Sequence, residues 1–234
     1  MDSPVNDRLV LAMDTCTRFA SIALARGQEV LVEHTWMAAR EHTAQLAPHV
    51  ESLLAGSHLT PEDLGAVAVA MGPGSFNGVR AGMAMAKALA FALDLPLAGV
   101  SALEVQAYAC APAPAPICSI QVAGRGELAL AIFHTQHGSW SRLRPEGIVS
   151  WEELAGLVQE PTIICGDLYP GLAPELRERL GGKALLASPA TGPRRAGYLA
   201  ELGWRQIVDG KAPVPGQLQP LYLRRPAITE RRKP

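Results

Sequence analysis

Hydrophobic and polar positions alternate and cluster along this chain in a way that orders most of its first half. Leu9 to Met13 (LVLAM) is a short apolar run ending in the turn-forming DTCT, which predicts a first strand. Phe19 to Ala25 (FASIALA) resumes as a second strand, RGQE supplies a hairpin turn, and VLVEHTW reads as a third. From Glu41 to Ala55, Leu46, Val50, Leu53 and Leu54 recur at helical spacing, with Pro48 inside the run and Gly56 as its stop signal. Pro48 is expected to bend that helix. Leu64 to Ala70 (LGAVAVA) predicts a buried strand of small residues, followed by a glycine loop and a helix in MGPGSFNGVRAGMAMAKALAF. Leu95 to Ala109 gives one more strand and a helix from about Ser101, so the order is βββαβαβα.

Alternating prolines in CAPAPAPIC then favour extended backbone and stop that helix, marking a boundary between two units. The division read from this is 1–109 for a first lobe, 110–118 for a proline-rich junction, and 119–234 for a second lobe with a basic tail. ICSIQVAGRGELALAIFH reads as strand, Gly-Arg-Gly turn and strand, and SWSRLRPEGIVS as shorter strand-like pieces. Trp151 to Gln159 looks helical, and PTIICGD is strand and turn. Thr191, with Pro193 just inside, predicts a helix start, and Ala196, Leu199, Ala200, Gly203 and Ile207 line one face of that helix. Like the first, the second unit begins with a hairpin.

Composition narrows the function. With 234 residues, and about 150 per domain as a prior, one or two compact units are expected. A formal charge of −1 provides no global field to recruit nucleic acid or an anionic membrane. Cys16, Cys110, Cys118 and Cys165 form no C-x-x-C pair and no zinc spacing, which reads as reduced thiols in a cytoplasmic protein. The most apolar stretch, Val79 to Leu93, contains Arg80 and Lys87 and falls short of the ~20 residues that span a bilayer, so no membrane role is expected.

The glycine loop fails two templates. A P-loop needs a second glycine followed by Lys and Ser/Thr, and neither is in place after Gly72 and Gly74. The dinucleotide fingerprint G-x-G-x-x-G is also missed, because GPGSFNG is one residue too long. Two physical readings stay open: an anion held on the free N–H groups of a helix N-terminus, or a tight strand-to-helix turn capped by Ser75 or Asn77. The helix that follows is polar only at Arg80 and Lys87, whereas a surface helix is polar over about half its circumference. It must be covered on two sides, one by the sheet and the other by its own chain or by a partner.

LAMDTCTRFASIAL, EHTAQLAPHVESLL and VAVAMGPGSFNGVRAGMAMAKALAFALDLPLAGVSALE together resemble the TsaB (YeaZ) family, with further support in AGRGELALAIF and LQPLYLR. The resemblance implies a two-lobed α/β fold of the actin, Hsp70 and sugar-kinase type, with a βββαβα core in each lobe. It implies a non-catalytic dimerisation subunit for a TsaD-type transferase that threonylcarbamoylates the adenosine next to the anticodon of tRNA. A TsaE-type ATPase in a larger complex, a homodimer when the chain is alone, and tRNA met only through the complex are further implied partners. Pairing is expected through the helices Glu41–Ala55 and Gly78–Leu93, with Leu46, His49, Val50, Leu53, Arg80, Met83 and Lys87 at the interface. No cofactor of its own is implied, though ATP or ADP could sit at the joint with the partner. The residues of that vestigial or shared nucleotide site are Asp14, Thr15, Thr17, Gly72, Gly74 and Ser75.

This sequence departs from the family at Cys16, where serine is usual, at Asn77, where threonine is usual, and at Ala123 and Gly124, where Asp-Ala precedes Arg125. The first change weakens a phosphate contact and the last removes a carboxylate, and all three argue against nucleotide chemistry in this chain. Asp14 stands where active kinase relatives hold metal-bound phosphate; the alternative is a carboxylate bonded to N–H groups of its own turn. The transferase's H-x-x-x-H metal helix has no counterpart, since no two of the six histidines lie four apart; His42 and His49 read as surface or interface groups. Two rivals remain, a small ATP-binding kinase or ATPase of the same fold and a metallopeptidase. Arg224, Arg225, Arg231, Arg232 and Lys233 against Glu230 make the tail basic, either as a solvated end or as a contact for tRNA phosphates.

Overall fold

The computed structural model describes residues 8–166, 168 and 171–224. The tail residues Arg225, Arg231, Arg232 and Lys233 therefore lie outside the described residues.

Two five-stranded sheets are built on one plan. In the first, β1 (Leu9–Asp14), β2 (Phe19–Arg26) and β3 (Glu29–Met37) form an antiparallel meander, and β4 (Leu64–Ala70) and β5 (Leu97–Val100) add in parallel on the far side of β1, in the order β3-β2-β1-β4-β5. The second repeats this with β6 (Ile117–Gly124), β7 (Glu127–Gln136), β8 (Ser139–Val149), β9 (Thr162–Gly166) and β10 (Ala184–Leu186), in the order β10-β9-β6-β7-β8. The helices are α1 (His42–Gly56), α2 (Phe76–Ala92), α3 (Ala102–Tyr108), α4 (Trp151–Leu157), α5 (Leu172–Leu180) and α6 (Ala196–Val208). Both lobes thus carry the expected βββαβα order.

The period-two alternation of a strand explains how each sheet is covered. Along β1, Leu9, Leu11 and Met13 join the core beneath α1 and α2, while Val10 and Ala12 face α6. The α6 side is lined by Ala12, Ala23, Ala25, Ala66, Ala68 and Ala98, so the helix lies close: a Cβ on Gly203 would come 2.6 Å from the Ala68 Cβ. On the second sheet, α4 and α5 cover Cys118, Ile120, Leu128 and Ile164, and α3 covers Ile117, Ala129, Phe133 and Cys165. The chain therefore exchanges helices between its sheets. Helix α3, which follows the first sheet, packs on β6, β7 and β9, and α6, which follows the second, packs on β1, β2, β4 and β5.

Three local expectations are corrected. Thr191 does not begin a helix: residues 189–191 form a single 3-10 turn, in which the Thr191 N–H and hydroxyl both donate to the Ser188 carbonyl. The helix waits until Ala196 because its caps come from distant strands. The Ala196 N–H donates to Ser21 Oγ and the Gly197 N–H to the Glu33 carboxylate, which also places an anion at the positive end of the helix. The pieces read in SWSRLRPEGIVS are one strand of 11 residues, β8; its Pro145 is tolerated because β8 lies at a sheet edge and its pairing with β7 shifts register there. Finally, α5 and β10 were not read from the pattern. Both are short, and β10 has only three residues.

Candidate functional site

The turn after β1 and the glycine loop before α2 meet at the carboxyl ends of the first sheet's parallel strands. Asp14 is 2% exposed, and both of its carboxylate oxygens are engaged. Oδ2 accepts from Arg194 Nε at 2.5 Å, while Oδ1 accepts from the Cys16 N–H at 2.8 Å and from Arg194 Nη2 at 3.3 Å. Burial pushes the Asp14 carboxyl up, but the Arg194 charge and hydrogen bond and the Cys16 N–H outweigh it and hold it below its ordinary value. The turn reading of Asp14 thus matches its bond to Cys16, with Arg194 added from 180 residues away. Sequence reasoning missed Arg194, and no local signal points to it.

The two threonines of DTCT are also satisfied within the chain. Thr15 donates its hydroxyl to the Gly78 carbonyl at 2.7 Å, and Thr17 exchanges hydrogen bonds with the Phe19 backbone. Between them, the Cys16 carbonyl accepts the Ser75 N–H at 2.8 Å, and its thiol, raised well above its ordinary value chiefly by burial, donates to the Ala70 carbonyl. His42, read as a surface or interface group, is instead buried within this chain and bonded through Nε2 to the Thr17 carbonyl at 2.7 Å, which ties the start of α1 to the same turn. His49 lies tilted against Trp36 with ring centroids 3.9 Å apart.

The glycines are used for close approach. A Cβ on Gly74 would lie 2.3 Å from the Cys16 carbonyl oxygen, one on Gly78 would lie 2.1 Å from that of Thr15, and one on Gly82 would lie 2.4 Å from Thr15 Oγ1. Three glycines at four-residue spacing thus let the start of α2 press against the β1 turn. Gly72, at φ 98°, occupies a backbone region that other residues resist. Ser75 caps α2 by accepting the Gly78 N–H, the turn role foreseen for it. Ser75→Ala is expected to cost about 1 kcal/mol of stability, read as a shifted urea midpoint at unchanged slope.

What opens to solvent here is a cleft of ≈ 370 Å³ between the lobes, lined by Cys16, Thr17, Arg18, Gly74, Ser75, Gln121 and Val122. Of the six predicted nucleotide-site residues, Thr17, Gly74 and Ser75 reach this cleft, while Asp14, Thr15 and Gly72 lie buried behind it. Next to it, the C-terminal segment straps the lobes together. Leu221 donates its N–H to the Met71 carbonyl, and Tyr222 stacks on Phe76 and accepts from Arg80 Nε at 3.0 Å. Among the described residues, no group of three His, Cys, Asp or Glu side chains stands together as a metal ion would require, and no helix is long and apolar enough to cross a membrane.

The seven predicted interface residues divide. Leu46, Val50, Leu53 and Met83 are buried in this chain's own core between α1, α2 and the sheet. Helical periodicity marks the buried stripe whichever body covers it, and here the covering body is the chain itself. His49, Arg80 and Lys87 remain partly or fully exposed, although Arg80 folds over the Phe76 ring at 3.7 Å and Lys87 donates to the Gly216 carbonyl at 3.5 Å. The open side of α2 is a stripe of Phe76, Asn77, Arg80, Ala84, Ala88, Phe91 and Ala92, apolar from Ala84 onward, and Phe91 is 64% exposed. Alongside it, α1 exposes Ala44, Ala47, Pro48 and Ala55.

Residues 36–166 match the family model of TsaD, tRNA N6-adenosine threonylcarbamoyltransferase. The chain is 32% identical to the tRNA threonylcarbamoyladenosine biosynthesis protein TsaB of Bacillus subtilis over 90% of its own length and 93% of that protein's. It is 33% identical to an uncharacterized protein of Mycobacterium tuberculosis, over 96% and 95% of the two chains. A crystal structure of a Pseudomonas aeruginosa protein, described as similar to the peptidase YeaZ, superposes with a TM-score of 0.79 at 24% identity, covering 93% of this chain and all of that one. Component A of the (R)-2-hydroxyglutaryl-CoA dehydratase of Acidaminococcus fermentans superposes at 0.50 with 11% identity over 86% and 99% of the chains. The fold is accordingly the two-lobed, actin-like one.

Proposed function

The chain belongs to the TsaB family, and from that premise we propose that it acts in tRNA threonylcarbamoyladenosine biosynthesis as a non-catalytic scaffold for a TsaD-type transferase. The observation that carries this reading is the open side of α2. Ala84, Ala88, Phe91 and Ala92 form an apolar, small-residue stripe beside the exposed alanines of α1, and such a surface permits close helix-to-helix approach. The transferase covers it in the pair, and a second copy of this chain covers it when the transferase is absent. A TsaE-type ATPase joins the larger complex, tRNA is met only through the assembly, and the setting is the cytoplasm.

Ala88→Glu and Phe91→Glu test the docking surface. Each places a charge where the partner's apolar side would lie, and each is expected to leave the fold intact while weakening the pair by about 2 kcal/mol or more, roughly thirtyfold in Kd. Titration calorimetry with the transferase subunit reads this directly. Unchanged affinity in both variants would place the interface elsewhere. Met83→Glu is unsuitable, because Met83 is 4% exposed and the variant would damage the chain's own core.

The rival kinase or ATPase reading needs Asp14 and Thr15 free to meet metal and phosphate, and both are bonded within the chain. ATP or ADP then enters only at the joint with the transferase, through the cleft at Thr17, Gly74 and Ser75. Calorimetry of the lone chain with ATP and magnesium is expected to show no turnover. Tight magnesium-dependent binding with hydrolysis would transfer the assignment to the rival. Metal analysis of purified protein is the check on the metallopeptidase reading.

A further inference from the structure

Cys110 and Cys165 lie far apart in sequence, on either side of the proline-rich junction, yet they meet where α3 ends on the second sheet. Cys165 is fully buried on the face of β9 that α3 covers, among Leu103, Ala107, Ile117 and Phe133, and Cys110 packs against that cluster from its half-buried edge. The backbone of α3 makes room for the contact. Its last turn tightens, so that the Cys110 N–H donates to the Ala107 carbonyl at 2.9 Å, three residues back. A regular turn would have used the Gln106 carbonyl. That carbonyl accepts the Cys165 thiol instead, at 3.7 Å. Cys110 packs against the same cluster as Cys165, and the two thiols lie within hydrogen-bonding reach of each other.

The two remaining cysteines point elsewhere. Cys118 belongs to the core on the opposite face of the same sheet, under α4 and α5, and Cys16 is buried in the other lobe. The two paired thiols are also unequal. When Cys110 is the thiolate, the Cys165 S–H can turn to it from the Gln106 carbonyl, which pulls Cys110 below the ordinary thiol value, whereas the same contact, reinforced by burial, raises Cys165 well above it. Cys110 is thus the thiol that is both nearer to solvent and readier to lose its proton.

We propose that Cys110 and Cys165 are a redox pair that a hydroperoxide converts to a disulfide, stapling the end of α3 to β9 across the junction. In the first step the Cys110 thiolate attacks the peroxide O–O bond. The S–O bond forms, hydroxide (as water) leaves, and Cys110 becomes a sulfenic acid. In the second, the Cys165 sulfur attacks the Cys110 sulfur, the S–O bond breaks, and the Cys165 proton departs with the hydroxyl as water. Two thiols are oxidised by two electrons, one peroxide is reduced, and a dithiol reductant reverses the change.

The test uses the full wild-type chain exposed to one equivalent of hydrogen peroxide, followed by thiol counting under denaturing conditions and peptide mapping without reductant. The expected result is a fall from four free thiols to two, together with one linked peptide pair that dithiothreitol separates. Trypsin leaves Cys110 and Cys118 on one peptide, so fragmentation between Ala111 and Ile117 assigns the link, and Cys118→Ala is expected to form it unchanged. Cys110→Ser is expected to abolish it. Four surviving thiols, a link through Cys118, or a sulfinic acid on Cys110 with Cys165 still free would each overturn the proposal.

Discussion

Asp14→Ala is expected to cost this chain about 3–5 kcal/mol, because it removes one half of a buried ion pair and leaves the Arg194 guanidinium in a dry site without the carboxylate that faces it. That is a large fraction of the roughly 5–15 kcal/mol that holds a domain together. It should appear as a fall in Tm of about 10 °C and a lower urea midpoint with unchanged slope. The companion variant decides what kind of site this is. Replacing both partners, Asp14→Leu with Arg194→Met, removes the buried charges together and is expected to restore most of the loss. Were Asp14 kept for phosphate or metal, the single variant would instead leave stability in place and abolish ligand binding.

The same carboxylate gives the stability a pH dependence. Its folded value is depressed, so its contribution is fully present above the unfolded value near 3.8 and is lost as pH falls from there through the folded value. Acid titration of stability in wild type and in the double replacement should therefore run nearly together above that value and separate below it, where wild type loses a contribution that the double replacement does not depend on. Parallel curves throughout would remove Asp14 from the account.

Gly78→Ala is the second large effect, and its sign is what makes it informative. Helix propensity alone favours alanine over glycine inside a helix by about 1 kcal/mol. Against this, the added Cβ would lie 2.1 Å from the Thr15 carbonyl oxygen and 2.5 Å from Ser75 Oγ, and a backbone oxygen held in a turn has nowhere to retreat. The expected net result is a loss of about 3 kcal/mol or more, measured by denaturant unfolding. Gly56→Ala, at the end of α1 with nothing within 4 Å of the new Cβ, is the matching control and is expected to be neutral or to stabilise by up to about 1 kcal/mol. Should both variants stabilise equally, the glycines of α2 would have no packing role, and an anion-binding one would return to the foreground.

Much of the architecture was legible because it is local. Strands such as Leu9–Asp14 and Leu64–Ala70 announce themselves as short apolar runs, and α1 shows its buried stripe at Leu46, Val50 and Leu53. What stayed hidden depends on residues far apart in the chain. The start of α6 is set by Ser21 and Glu33, not by its own neighbours, so the plausible signal at Thr191 pointed to the wrong place. Arg194 could not be paired with Asp14 from spacing alone. The sequence leaves the glycine loop open between an anion site and a tight strand-to-helix turn, and only the fold shows that Gly74, Gly78 and Gly82 all face the single turn Thr15–Cys16. On α2, composition exposed the shortage of polar residues but could not divide it between an inward face, with Met83, and an outward one, with Phe91.

The crossed placement of α3 and α6 has a consequence for how the chain comes apart. Each sheet borrows a covering helix encoded in the other's stretch of sequence, so a cut in the prolines at 112–116 would produce two fragments that each bare an apolar face, alanine-lined on the first sheet and carrying Ile117, Ala129 and Phe133 on the second. Neither fragment is self-sufficient. They should regain order only when mixed, by trading those helices back, and the intact chain should melt in a single cooperative event.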